Sequence, residues 1–396
     1  MPSKGNRGYL WALVLALGFT GSAWAQNEFK VGLLYPTSGV YAGAAKQGIA
    51  GATLAFEEIG NQIGGRKVVL LVEDDEAKPE VALAKAKKLV ENDKVQVMMG
   101  VIWSPNAMAL RPYVHERKVP LVLSEAAVRP ITQEARSPYI FRTSFASGQL
   151  THPFGNYVCG KLGYRKIAVI GFDNVFGREE TDFFEAGCKS AGGAVVEKIF
   201  APLDTADFAP YFARIRQANP DAVWAIWAGA AALRFVQQYS EFGMKQKYPL
   251  LGIGPLTDEF ILKAAGKAAE GVITFYSYSP AIDSPQNKRF VEAYRKRFGG
   301  EPGVFSMGGY LAARTIIEAA KAVKGDLSDT GAFLSALRAV QFETPSGKFR
   351  FDIYQNAVQS MYIRKVQPGA GGQLVNMPVD VLRDIEQYWP KGKPAK

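Results

Sequence analysis

FKVGLLYPTSGVYAGAAKQGIAGATLAFEEI, residues 29–59, sets the reading of the whole chain. Its first seven residues are apolar except for Lys30, with no polar alternation. A strand of that kind is buried on both faces, as in a parallel sheet covered by helices. Residues 36–43 break the run, and from Gly43 to Ile59 apolar positions recur at helical spacing. The same unit repeats. KVVLLVE (67–73) leads to a predicted helix from Pro79 to Asn92, and VQVMMG (95–100) to one from Pro105 to Arg117, before VPLVLS (119–124). KIAVIGF (166–172), AVVEKIF (194–200), DAVWAIW (221–227) and PLLGIG (249–254) resume the rhythm. Helices are predicted near 178–191 and 208–218, with another between the last two strands. This alternation predicts an α/β protein with doubly wound parallel sheets.

Two such sheets are implied. The first series ends near PYIFRTSF (138–145), and a second begins with the helix after Gly148. The composition shifts again at FYSYSPAIDSP (275–285), which precedes helices near 286–298 and 304–323. A hairpin-like turn near GKFRFDIYQN (347–356) leads into VQSMYIRKV (358–366). The predicted division is 27–145 plus 279–356 for one lobe and 146–278 plus 357–390 for the other. Open parallel sheets take ligands beyond the carboxyl ends of their strands. Two lobes joined by several segments are therefore expected to close on a ligand by hinge motion.

The N-terminus reads as an export signal. Lys4 and Arg7 precede the apolar run YLWALVLALGF (9–19), and Ala23 and Ala25 in GSAWA mark a small-residue cleavage site. The run is about half the ~20 residues that span a bilayer. Cleavage is expected after Ala25, and Gln26, not a cysteine, follows, so a free periplasmic protein is expected. The chain has 47 basic against 37 acidic residues, +10 at pH 7, of which Lys4 and Arg7 supply two. No block of five or six basic residues occurs, which argues against nucleic acid as a partner. Cys159 and Cys188 are the two cysteines; in an oxidising compartment they form either one bridge or two buried thiols.

Catalytic patterns are missing. The only histidines are His115, inside a helix, and His152, expected to face solvent in a first turn before Pro153. There is no G-x-S-x-G, H-E-x-x-H, C-x-x-C or phosphate-binding G-x-x-x-x-G-K-[ST]. Gly252-Ile253-Gly254 lacks the third glycine of a dinucleotide loop, and EDDE (73–76) reads as a solvated turn. No catalytic residue, metal or cofactor is expected. Binding is better supported. TSGVYAG (37–43) carries Tyr41, and IWSPN (102–106) carries Trp103 and Ser104, with Ser104 expected to cap the helix opened by Pro105. Amides at such helix starts receive a carboxylate. LSEAAVRP (123–130) follows the fourth strand. The other lobe offers Phe176, Trp227, Tyr276 and Tyr278 on strand-end loops, with Trp224 expected in the core. Such rings suit a flat apolar ligand.

Three stretches, residues 30–59, EDDEAKPEVALAKAKKLVEND (73–93) and the run from Met99 to Pro130, resemble leucine/isoleucine/valine-type solute-binding proteins. DFAPYFARIRQANPDAVWAIWAGA (207–230) and FSMGGYLAARTIIEAA (305–320) share the pattern. The resemblance implies the type I periplasmic binding protein fold, two doubly wound lobes joined by three connecting segments. It also implies a monomeric carrier that delivers a small molecule to an inner-membrane ABC permease. In this resemblance Ser104 corresponds to the carboxylate-binding serine and Ala126 to the small residue offering backbone groups. Val128 stands where a threonine is frequent, and Phe176 lacks the phenol hydroxyl of many relatives. The acid that holds an amino acid's ammonium should fall near Gly252 to Pro255, where none is present; Asp258 and Glu259 come later. A buried ammonium without its anion costs several kcal/mol. The expected ligand is thus an apolar or aromatic carboxylate, contacted by Tyr41, Trp103, Ser104, Ala126, Val128, Phe176, Trp227, Gly254 and Tyr276. A branched-chain amino acid carrier and a periplasmic sensor are the alternatives.

Overall fold

The computed structural model describes Met1, residues 28–369, 371–390 and Gly392. The predicted export segment beyond Met1 lies outside the described residues. The first sheet contains β1 (Glu28–Tyr35), β2 (Gln62–Ile63), β3 (Arg66–Asp74), β4 (Val97–Gly100), β5 (Leu121–Leu123) and β6 (Ile140–Arg142), in the order β2-β3-β1-β4-β5-β6. Every pair is parallel except β2–β3. Helices α1 (Ala42–Glu57), α2 (Pro79–Lys87) and α3 (Ser104–Arg117) make its crossovers.

The chain then enters the second sheet through α4 (Thr151–Gly160). Its parallel strands are β7 (Lys166–Phe172), β8 (Ala194–Ala201), β9 (Ala222–Ile226), β10 (Leu250–Ile253) and β11 (Ile273–Tyr276), in the order β8-β7-β9-β10-β11. Helices α5 (Val175–Ser190), α6 (Ala209–Ala218), α7 (Gly229–Glu241), α8 (Met244–Lys247) and α9 (Glu259–Ala265) connect them. Every residue of β9 and β10 is buried, as their unbroken apolar sequences require. After β11 the chain returns to the first sheet as α10 (Pro285–Phe298), α11 (Val304–Ala322) and α12 (Thr330–Ala339).

A third crossing follows the hairpin of β12 (Gln341–Thr344) and β13 (Gly347–Phe351), and β14 (Ala357–Pro368) and β15 (Leu374–Ile385) then add antiparallel strands beside β11. β13 pairs with β14 at Arg350–Val358 and Phe351–Ala357, so strand pairing continues through this crossing. The α/β reading and the type I architecture hold. β15 has no sequence forecast behind it, because it is a half-exposed edge strand interrupted by Pro378.

Small residues let α11 lie against α1. A Cβ on Gly51 would sit 1.9 Å from the Ser306 carbonyl oxygen, and one on Gly309 would sit 1.9 Å from that of Gly48. This close approach explains the glycine and alanine spacing of residues 42–55 better than helix propensity does.

Some polar expectations change. The EDDE turn is not simply solvated: Asp74 Oδ1 accepts from the Thr37 and Glu76 amides, and Glu73 pairs with Lys85 and Lys88. Asp75 is fully buried, and burial lifts its pKa to about 6. His152 does not simply face solvent either; it stacks on Tyr388 with ring centres 4.1 Å apart. Cys159 of α4 and Cys188 of α5 are joined by a disulfide, with Cα atoms 5.1 Å apart. A side chain on Gly193 would strike both sulfurs, so glycine leaves their space open.

Glu180 of α5 fastens the first crossing segment. It is fully buried and accepts a hydrogen bond from Thr151 Oγ1. Burial raises its pKa to about 8, against the opposing effects of Thr151, Ser147 and the Gly148 amide. The native chain thus keeps a proton that the unfolded chain releases above the ordinary glutamate range near 4.5. Stability from this group therefore falls as pH rises from about 4.5 to 8.

Two outcomes follow from these observations. Cys159→Ser with Cys188→Ser should lower unfolding free energy by about 2–4 kcal/mol in urea titrations, because the bridge closes a 29-residue separation. Glu180→Gln should shrink the loss of stability between pH 5 and pH 8 by about 1–3 kcal/mol in the same assay.

Candidate ligand-binding cleft

Both sheets reverse their winding at one point, and a cavity forms where those points meet. From β1 the first sheet winds one way to β3 and the other way to β4. From β7 the second winds to β8 and to β9. Loops leaving the carboxyl ends at such a reversal diverge and leave a crevice. The cavity between the two lobes has a volume of about 50 Å³. That is several waters' worth where one needs ~10–15 Å³.

The first-lobe wall begins with Tyr41 after β1 and with Ile102, Trp103 and Ser104 after β4. Gly100 and Val101 turn the chain there at φ 113° and 65°. A β-branched residue in left-handed backbone is strained. It is held by the bond from the Val101 amide to the Leu34 carbonyl and by that from the Ala126 amide to the Val101 carbonyl.

Ser104 does not cap its own helix. It is the first residue of α3, and its Oγ accepts from the amides of Ala127 at 3.2 Å and Val128 at 3.3 Å. With its acceptor capacity taken, the hydroxyl is left to donate. It stands at the positive end of a 14-residue helix, which favours an anion.

Arg142 lies behind this wall. It is fully buried, and its guanidinium donates to the carbonyls of Ala127, Val128 and Phe145 and to Thr132 Oγ1. The 127–128 segment is thus gripped through its carbonyls by Arg142 and through its amides by Ser104. Arg364 has the matching place in the second lobe, donating to the Gly254 and Tyr278 carbonyls and to Thr274 Oγ1. Burial pushes both arginines' pKa down, yet a guanidinium stays charged in proteins.

The second-lobe wall comprises Phe172 at the end of β7 and Phe176 beyond it, Ala228 after β9, Ile253 and Pro255 around the end of β10, and Tyr276. Rings meet across the gap. Trp103 lies edge-on to Phe172 at 5.8 Å, and Phe145 to Tyr276 at 5.4 Å. Gly229, at φ 60°, lets the start of α7 approach the Val40 carbonyl; a Cβ would sit 2.4 Å from that oxygen.

Of the expected contacts, Tyr41, Trp103, Ser104, Phe176 and Tyr276 line the cavity. Ala126 and Val128 are not in its wall, whereas Glu125 and Ala127 are. Trp227 is fully buried one layer back, 4.8 Å edge-on from Phe172. Gly254 underlies Tyr276, where a Cβ would meet the ring at 2.5 Å. Sequence reading missed Glu125 altogether. The available signal was an acid directly after a fully buried strand, at a position that both face-on alternation and the resemblance pass over.

The later acids are committed elsewhere. Asp258 Oδ2 accepts from the Val304 amide at 2.7 Å, so a second-lobe carboxylate caps α11 of the first lobe. A side chain on Gly303 would displace it. Burial lifts Asp258 to about 6, partly offset by the Val304 and Phe260 amides and Arg364. Glu259 accepts from Asn376 Nδ2 at 2.8 Å. Two more polar contacts cross the cleft: the Arg129 amide to Glu179 Oε2 at 3.0 Å, and Tyr276 Oη to Glu125 Oε2 at 2.6 Å.

Comparison with known proteins agrees with this architecture. The family model described as periplasmic binding protein matches residues 28–373, and the chain belongs to that family. It is 32% identical to Leu/Ile/Val-binding protein homolog 6 of Brucella melitensis, over 94% of this chain and 95% of that one. An ABC transporter substrate-binding protein from Sphaerobacter thermophilus is 36% identical with a TM-score of 0.85, covering 91% of this chain and 99% of its own. A solute-binding protein of an ABC transporter from Rhodopseudomonas palustris BisB5, solved with 3,4-dihydroxybenzoic acid, is 34% identical. Its TM-score is 0.87, with 91% of this chain and 99% of that one covered. No helix among the described residues is long and apolar enough to cross a membrane.

Asp258→Ala removes the cross-cleft cap. It should weaken binding of the protein's small-molecule ligand about fivefold, the equivalent of ~1 kcal/mol, with a larger radius of gyration in X-ray scattering of the ligand-free protein.

Proposed function

We propose that this protein is the substrate-binding component of an ABC importer and that its ligand is a small aromatic carboxylate. The carrying observation is the cavity itself: a small space walled by rings from both lobes, with the Ser104 hydroxyl, whose oxygen already accepts two amides, left to donate at a helix N-terminus. A ring fills the apolar wall by offset and edge contacts, and the carboxylate meets Ser104. The relative bound to 3,4-dihydroxybenzoic acid supports this ligand class. In this reading residues 27–145 plus 279–356 and 146–278 plus 357–390 move as two bodies, closing on the ligand before it is handed to a membrane permease. Export with cleavage after Ala25 delivers the protein to the periplasm.

The second reading is a branched-chain amino acid, favoured by the identity to the Brucella homologue. It requires an ionised acid for the ammonium, and Asp258 and Glu259 are both occupied by backbone and amide donors.

Calorimetric titration with benzoate, 4-hydroxybenzoate, leucine and isoleucine decides between them. Aromatic acids should bind at micromolar Kd or tighter, with leucine and isoleucine giving no heat. Tight leucine binding without a response to the aromatic acids overturns the proposal.

A further inference from the structure

Residues 386–389 follow β15 of the second sheet and reach the loops of the first. Gln387 among them is only 3% exposed. Its Oε1 accepts from Thr132 Oγ1 at 3.2 Å and from Gln133 Nε2 at 3.1 Å, and its Nε2 donates to Asp352 Oδ2 at 2.7 Å. Gln133 Nε2 also donates to the Tyr388 carbonyl at 2.8 Å. The Tyr388 ring stacks on His152 of α4 and meets Phe183 of α5 edge-on at 5.5 Å. This last segment is thus fastened to both lobes, and Gln387 joins Thr132 across 255 positions of sequence.

Thr132 is also held by Arg142. Arg142 Nη2 donates to Thr132 Oγ1 at 2.7 Å, while Nη1 donates to the carbonyls of Ala127 and Val128. The amides of those same two residues donate to Ser104 Oγ. A chain of hydrogen bonds therefore runs from Gln387 through Thr132 and Arg142 to the loop that holds the Ser104 hydroxyl. We propose that Gln387 is a positioning residue of the binding site: through Thr132 and Arg142 it fixes the 127–128 loop, and with it Ser104. This inference rests on the reading of Ser104 as the carboxylate donor and adds a distant residue to that site.

Donor and acceptor roles are fixed along this chain. A guanidinium only donates, so Thr132 Oγ1 receives from Arg142 and gives its single proton to Gln387 Oε1. The carboxamide fits one way round. Its oxygen faces two donors, Thr132 and Gln133, and its nitrogen faces the Asp352 carboxylate; turned over, both ends would meet groups of their own kind. Asp352 is itself anchored, since its Oδ1 accepts from the Tyr354 and Asn356 amides. Thr132 and Arg142 are fully buried, where water cannot replace a lost partner. Loss of the carboxamide leaves the Thr132 and Gln133 donors to find new acceptors, and Arg142 shifts with Thr132.

Two measurements on the mature protein test this. Amide hydrogen exchange without ligand should quicken at Ala127 and Val128 in Gln387→Met by about tenfold beyond any change in β9 and β10. In calorimetry, Gln387→Met should weaken the Kd of the tighter of benzoate and 4-hydroxybenzoate by about tenfold. Gln387→Glu combined with Asp352→Asn exchanges acid and amide, keeps the net charge and reverses only the last bond. That pair should restore both readouts to within about threefold of wild type, whereas Gln387→Glu alone, which sets two carboxylates together, should not. Thermal melts confirm that each variant is folded. Exchange that is unchanged at 127–128, or that quickens equally in β9 and β10, overturns the proposal; so does an unchanged Kd in Gln387→Met. Failure of both acids to bind the wild type overturns the ligand class and not Gln387, which the exchange rates and their rescue then support or overturn.

Discussion

A parallel sheet covered by helices on both faces has no free face for a ligand. Its one regular opening is the crevice where successive crossovers depart to opposite sides, beyond the carboxyl ends of the strands. This protein has two sheets with the same winding, β3-β1-β4-β5-β6 and β8-β7-β9-β10-β11, and brings their two crevices together. Everything at the site depends on that constraint. Tyr41 and Ser104 reach one cavity because β1 and β4 are the strands at the reversal; Phe176 and Ala228 reach it because β7 and β9 are their counterparts.

The loops at those openings need support, because their backbone is irregular and buried. Each lobe provides it with one arginine. Among the described residues neither Arg142 nor Arg364 forms an ion pair; their donors go to backbone carbonyls of the wall-forming loops and to the hydroxyls of Thr132 and Thr274. Removal of water from such a cation is costly, and several well-placed carbonyls with hydroxyl help offset the cost. The result is a stiff frame in which Ser104 and Tyr276 have little freedom. Cross-cleft contacts, above all Asp258 on the end of α11, then join the two frames. These contacts also explain why acids close to the expected ammonium site cannot serve there.

The periodicity of residues 29–59 and its repeats made most helices and parallel strands legible, since a buried strand has to be apolar throughout. The loops that bind were legible too, because they follow strands at their carboxyl ends. Residue-level contacts were less so. Glu125 and Ala127 line the cavity where Ala126 and Val128 were expected, a difference of one position that local sequence cannot fix in an irregular loop. Trp227 follows β9 directly and looked available to a ligand, yet Phe172 lies in front of it. Ser104 resembles an N-cap by sequence, but the left-handed turn at Val101 starts the helix one residue earlier and aims its hydroxyl at the next loop.

By itself the sequence determined the class of fold, the presence of two lobes and the identity of the strand-end loops, because hydrophobic periodicity is a local property set by burial of each element's faces. It also narrowed the cysteine question to a bridge or two thiols. Tertiary structure decided that Cys159 and Cys188 meet, that Asp258 spans the cleft, and that Glu125 lines the cavity. Those facts depend on side chains from distant segments meeting at distances of a few ångströms. No pattern along the chain encodes such meetings until the two sheets are brought face to face.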